Sequence, residues 1–118
     1  MKRKFRLTRT TDHKRVRQQG RSYAHPLVVL SILPNNLEHS RIAVTATRSV
    51  GGAVQRNRAK RRVRAAAQAV FARILPGWDL ILICRKGLLD SSFSGVQGAI
   101  SNLLHRAHLV QNANDQRD

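Results

Sequence analysis

The sequence predicts a small α+β sandwich: one β-sheet, two helices covering it, and a loosely held basic helix at the start of the chain. Three observations predict it. Apolar or alternating segments at 27–33, 41–47 and 79–84 lie between Pro, Gly and Asn punctuation, as strands do. Two longer segments, 53–75 and 91–109, include stretches with apolar residues at spacings of three and four, as in helices lying on a core. The order strand, helix, strand across 41–84 calls for a crossover unit. A chain of 118 residues, 42% of them hydrophobic, suffices for one compact domain, with flexible ends expected outside about 5–110.

Taken in order, Thr10 or Thr11 is placed to cap a short helix that runs to about Gln19 and closes at Gly20. Val16 is nearly its only apolar residue, so weak anchoring is expected. Tyr23 falls in a possible short strand. Pro26 opens the strand Leu27–Leu33, and Pro34-Asn35-Asn36 ends it. From Arg41 to Thr47, Ile42, Val44 and Ala46 alternate with Ala43, Thr45 and Thr47, which gives one buried face and one small, partly polar face. After Gly51-Gly52 the long helix is expected from Ala53 to Leu75, stopped by Pro76-Gly77. Asp79–Cys84 is the next strand. Ser91 or Ser92 caps a last helix whose Phe93, Val96, Ile100, Leu103, Leu104 and Ala107 face the core. The segment Asn112–Asp118 is polar and expected to fray.

Charge is the dominant compositional signal. Lys and Arg number 22 against 6 acids, a formal net charge of +16, which calls for an anionic partner. It is unevenly spread: residues 1–25 hold nine bases and one acid, and residues 41–64 hold eight bases and no acid. Cys84 is the only cysteine, flanked by Leu80-Ile81-Leu82-Ile83, so it reads as a buried thiol in a reducing compartment. No segment has the apolar length of a secretory signal or a membrane span. An Arg-rich N-terminus also suits an organellar transit peptide, but Phe5 and Leu7 form no amphipathic stripe. A cytoplasmic protein is expected, with neither membrane nor DNA as partner.

Six bases crowd the eleven residues Val54–Arg64, just after a glycine turn and at the start of the long helix. At about 100° per residue, Ala67, Val70, Phe71 and Ile74 fall within roughly 80° of Val63 and define the buried face. Arg58, Arg61, Arg62 and Arg64 point outward. Arg56 and Lys60 line up with the apolar stripe but nearer the N-terminus, so they should overhang the sheet edge. Without acids at i+4 these charges repel one another unless an anion binds, and the helix start itself favours anions.

Catalytic constellations are absent from the pattern. Asp79 and Asp90 read as isolated and Asp12 is flanked by bases, so no carboxylate pair for acid–base or two-metal chemistry is visible. His105 and His108 read as surface histidines because no third ligand stands at metal-site spacing.

The segment Val50-Gly51, Ala53-Val54, Arg56-Asn57-Arg58, Lys60-Arg61 and Arg64 resembles the helix signature of the bacterial ribonuclease P protein component. Phe5-Arg6-Leu7, Asp12, Val16, Gly20, Pro34, Thr47-Arg48 and Asp79–Cys84 with Arg85 extend the resemblance over about residues 3–110. It implies an αβββαβα two-layer sandwich with a left-handed β-α-β crossover, a ribosomal protein S5 domain 2-like fold, against the usual right-handed rule. It also implies a protein with no catalytic side chains, serving a catalytic RNA that uses Mg2+ to remove the 5′ leader of precursor tRNA. The protein itself would hold no cofactor. The resemblance assigns Arg56, Asn57, Arg58, Lys60, Arg61 and Arg64 to the catalytic RNA. To a leader cleft between the first helix and the sheet it assigns His13, Arg17, Tyr23, Thr47, Arg48 and Arg85, with Tyr23 equally suited to a core edge.

His13 and Arg17 stand where the family usually has phenylalanines, which leaves leader preference open. Gly52 replaces a preferred asparagine and Ala65 a common glutamate. A structural ribosomal protein shares every compositional argument, and a protein-only nuclease is the enzymatic rival. The helix signature and its place between strands separate the family from both.

Overall fold

The structure, a computed structural model, describes residues 1–110; the segment 112–118, expected to fray, lies outside the described residues. Its elements are α1 (Thr10–Gln19), β1 (Arg21–Ala24), β2 (Val28–Pro34), β3 (Arg41–Ala46), α2 (Ala53–Val70), β4 (Trp78–Cys84) and α3 (Phe93–Arg106). The strands form one sheet in the order β1-β2-β4-β3. β2 is antiparallel to β1 and β4, and β3 is parallel to β4, joined to it through α2. This is the expected α+β arrangement.

Period-two alternation divides the sheet into two faces. Val28, Leu30 and Ile32, Ile42, and Leu80, Leu82 and Cys84 face α2 and α3, and form the main core with Ala59, Val63, Ala66 and Ala67 and with Val96, Ile100, Leu103 and Leu104. Three of the four buried α2 residues are alanines, so the helix lies close to the strands. Burial at the end of β4 pushes the Cys84 thiol up to about 11, so it is neutral and unreactive at neutral pH.

On the reverse face Val16 of α1 packs with Leu7, Ala43 and Ile81 in a second, smaller core. Gly20 lets α1 run straight into β1, since a side chain there would collide with the carbonyls of Val16 and Ile32.

Several boundaries differ from the sequence expectation. The cap of α1 is Arg9 without a side-chain hydrogen bond, and both threonines fall inside the helix region. α2 ends at Val70, followed by a 3-10 turn at Phe71–Arg73. Ile74 then pairs with Val110 and the Leu75 N–H donates to the Leu109 carbonyl at 2.7 Å, because Pro76 disfavours helix in the residue before it. α3 starts with Ser92 accepting from the Gly95 N–H at 3.0 Å. His108 adopts φ 58° and the Leu109 N–H returns to the Leu104 carbonyl, which closes the helix. Phe93 at the first position stays 43% exposed, and the buried stripe begins at Val96.

The expectation of a weakly held α1 and an isolated Asp79 is corrected by one cluster. Asp79, the second residue of β4, is fully buried and is surrounded by donors. Arg41 grips it with two hydrogen bonds of 2.9 and 2.8 Å, Arg15 of α1 adds one at 2.8 Å, and Asn35 adds one at 2.9 Å. Asp12 lies 3.5 Å from Arg15 and 3.7 Å from Arg41. α1 is therefore pinned by charge where apolar area is scarce.

Burial alone would raise the Asp79 pKa, but the hydrogen bonds from Arg41, Asn35 and Arg15 and the neighbouring positive charge outweigh it, and the carboxyl stays below its ordinary value. A depressed carboxylate stabilises the fold above the unfolded-state value of about 3.9 and loses that contribution as pH falls through the folded value. Asp79→Ala is expected to cost about 3 kcal/mol at neutral pH, the lower end for a broken buried pair, because both arginines retain a path to water. In denaturant melts the gap between variant and parent should narrow below about pH 4. A gap that widens on acidification would contradict this assignment.

Candidate nucleic-acid interface

The turn that launches α2 is built on Gly51, whose φ of 141° suits glycine and whose added Cβ would meet Gln55. Gly52 caps the helix without a side-chain hydrogen bond, and the first turn holds no acid. Its leading amides and positive dipole end are thus left to solvent or to an anion.

Along this end Asn57, Arg58, Arg61 and Arg64 are exposed and Lys60 is half-buried. Among the described residues none of these five side chains has a hydrogen-bond or ion-pair partner. All four ion pairs of the described residues involve Asp12 or Asp79. Arg56 differs, because it is half-buried and donates to the Gly51 carbonyl at 3.1 Å. Part of its donor capacity therefore stiffens the turn.

Arg62, expected on the outside, is half-buried and donates to the carbonyls of Leu89 and Ser91 at 3.3 and 3.0 Å. It ties α2 to the loop before α3. The wheel shows its direction, but it does not show that a loop waits there.

A second surface lies on the α1 side of the sheet. Arg15 and Asp12 point toward Asp79 at one end; at about 100° per residue His13 and Arg17 each sit roughly 200° from Arg15, so they face the other end. That half of the sheet is incompletely covered: Val29, Thr45 and Ile83 are half-buried there. Thr45 Oγ1 is buried without a hydrogen-bond partner. By alternation Thr47 and Arg85 continue the same face at the ends of β3 and β4. Thr47 bonds to Ser49 Oγ at 2.7 Å, Arg48 is exposed beside it, and Arg85 donates to the His25 carbonyl at 3.2 Å. Arg17 is exposed, whereas the His13 ring is held by a 2.7 Å hydrogen bond to the Leu7 carbonyl.

Tyr23 does not belong to this surface. It pairs with Leu30 in register, and the Ser22–Ser31 hydroxyl pair at 2.9 Å takes the α1 side instead. Tyr23 packs on the main core beneath Arg106, whose guanidinium carbon lies 6.0 Å from the ring centroid. Of the two places open to it, the core edge is the one it occupies.

The exposed His105 and His108 join no metal cluster; among the described residues no three His, Cys, Asp or Glu side chains come together. No helix among them is long and apolar enough to cross a membrane.

Fold and surface define a class: a small, strongly basic α+β protein with an acid-free, basic helix start and a half-open sheet face. The sequence pattern described as Ribonuclease P matches residues 1–108. The ribonuclease P protein component of Herpetosiphon aurantiacus is 43% identical over 109 residues, covering 92% of this chain and 89% of that protein. The corresponding protein of Roseiflexus castenholzii is 39% identical over 114 residues, covering 96% and 93%. Among solved structures, the RNase P protein of Staphylococcus aureus superposes with a TM-score of 0.81 at 26% identity, covering 91% of this chain and 98% of that one. The Thermotoga maritima RNase P protein gives a TM-score of 0.77 at 28% identity, covering 86% and 96%. The chain belongs to the ribonuclease P protein family.

Because Arg62 bonds within the protein while its neighbours do not, Arg62→Ala should lower stability by about 1 kcal/mol, in the range of a net charged hydrogen bond partly open to water. Arg61→Ala should leave stability within about 0.5 kcal/mol of the parent. Thermal melts of both variants check the contrast, and equal losses would remove it.

Proposed function

We propose that this protein is the RNA-binding subunit of ribonuclease P, an endoribonuclease that removes the 5′ leader of precursor tRNA. The observation that carries the reading is the set Asn57, Arg58, Lys60, Arg61 and Arg64, free of protein partners among the described residues at the basic end of α2. These groups dock on the catalytic RNA: the arginine forks pair with phosphates, and the Asn57 amide supplies a directed hydrogen bond. Arg56 contributes from its place against the Gly51 carbonyl.

The half-open sheet face beside α1 holds the single-stranded leader. Arg17 offers a free guanidinium plane that stacks on a base or pairs with a phosphate, and Thr47, Arg48 and Arg85 line the far end. His13 stands at the border of this face with one ring nitrogen already committed. The RNA subunit performs the cleavage with Mg2+, and the protein supplies affinity and substrate position in the cytoplasm. Electrostatic docking of this kind releases counterions, so its strength falls with salt.

The defining experiment is cleavage of precursor tRNA by a matching catalytic RNA at low Mg2+, with and without the protein. Stimulation is expected; its absence would sink the reading, and cleavage by the protein alone would favour a protein-only nuclease. Arg58→Ala and Arg61→Ala should each weaken RNA binding and reduce the log–log salt slope by about 0.7 to 0.9 for each phosphate that is no longer neutralised. Titrations at several salt concentrations measure both quantities, and an unchanged slope would leave these side chains in solvent.

A further inference from the structure

β3 is an edge strand, and only its first half is covered. The N-terminal segment pairs with it in parallel at Arg6 and Ile42, with the Leu7 N–H donating to the Ile42 carbonyl at 2.9 Å. A continuing ladder would next bring the Val44 N–H to the Leu7 carbonyl. His13 takes that carbonyl instead, at 2.7 Å. The ring nitrogen donates, since a carbonyl only accepts. Thr47, of odd parity, donates inward to Cys84, and Ile42, of even parity, faces outward. By the same alternation the main-chain N–H and C=O of Val44 point out from the sheet, and among the described residues neither has a partner.

A cavity of about 500 Å³ opens at this place, between the N-terminal segment, β3 and α2. Leu7, Ile42, Val44 and Ala67 give it apolar walls, Arg6 and Arg64 supply cationic groups, and no carboxylate among the described residues lines it. The size suits a small organic ligand, and the charge selects an anionic one. An amide N–H beside a C=O presents the donor and acceptor pattern that the edge of a nucleobase complements.

We propose that this cavity receives one unstacked nucleotide of single-stranded RNA, with the base between the apolar walls against the Val44 main chain and a phosphate between Arg6 and Arg64. The inference rests on the RNA-binding reading above and adds a site to it. Arg64 belongs to the surface assigned to the catalytic RNA, and His13 borders the surface assigned to the leader, so the cavity lies between the two. His13 acts as a wedge that keeps the N-terminal segment from closing along β3.

The test uses the full chain, fluorescent pentanucleotides of RNA and a pentanucleotide with one abasic position. Arg6→Ala should weaken pentanucleotide binding by about fivefold, equivalent to about 1 kcal/mol, as for one charged hydrogen bond open to water. It should also reduce the single-strand salt slope by about 0.7. Arg3→Ala, an exposed base of the same segment that does not line the cavity, serves as control and should change both less. Equal effects of the two variants would overturn the proposal, as would undiminished binding of the abasic strand. Ala67→Leu, which fills the cavity, should weaken binding if it still unfolds cooperatively; Arg6→Ala decides the matter if it does not.

The source of the nucleotide is read in the assembled holoenzyme. A loss with Arg6→Ala confined to substrates that carry a leader assigns the site to the leader, and an equal loss with leaderless tRNA assigns it to the catalytic RNA. No loss with either overturns the proposal. Failure of the parent protein to stimulate cleavage would count against the functional reading alone, because the pentanucleotide measurements report on the cavity independently.

Discussion

The buried Asp79 carboxylate is the constraint on which the rest of this small protein depends. One acid collects Arg41 from the adjacent strand, Arg15 from α1 and Asn35 from the end of β2, and so joins three separate stretches of chain at one end of the sheet. The apolar contribution of α1 is a single fully buried side chain, Val16. Apolar burial at about 25 cal/mol per Å² from one valine cannot fix the direction of a ten-residue helix, whereas a directed pair of ions can. The line of α1 across the sheet, and with it the opening on its other side, follows from that pair.

The two faces of the sheet are stabilised by different physics. Toward α2 and α3 the packing is apolar, with small alanines under α2 and an aliphatic stripe on α3. Toward α1 a small apolar patch is supplemented by charge and by a serine pair. The division leaves one firm layer, which holds the basic helix, and one partly uncovered layer beside α1. Charges without partners among the described residues stand both in the N-terminal stretch and where α2 begins. The charges that do have partners serve the architecture.

Much of this was legible in the sequence because periodicity reports burial directly. The alternation of Ile42, Val44 and Ala46, the stripe from Val96 to Leu104, and the basic start of α2 all appear where the pattern puts them. What was not legible depended on neighbours distant in sequence. Asp79 looked isolated because its partners lie 38, 44 and 64 residues away. An acid at the head of an otherwise apolar strand was the available signal. Arg62 sits on an outward arc of the helix, yet a loop 27 to 29 residues later covers it. For Tyr23 the short strand allowed either face, and only its register with Leu30 decides between them.

The partial coverage of β3 also bears on how the protein lives among its own copies. A bare strand edge is a template on which a second chain can add itself, and repetition of that step produces aggregates. Here the N-terminal segment occupies the edge as far as Leu7, and Arg6 and Arg64 line the cavity at the open stretch that follows. Another copy would bring the same two cations against them. The same two cations that would repel a second copy at this edge would attract a polyanion.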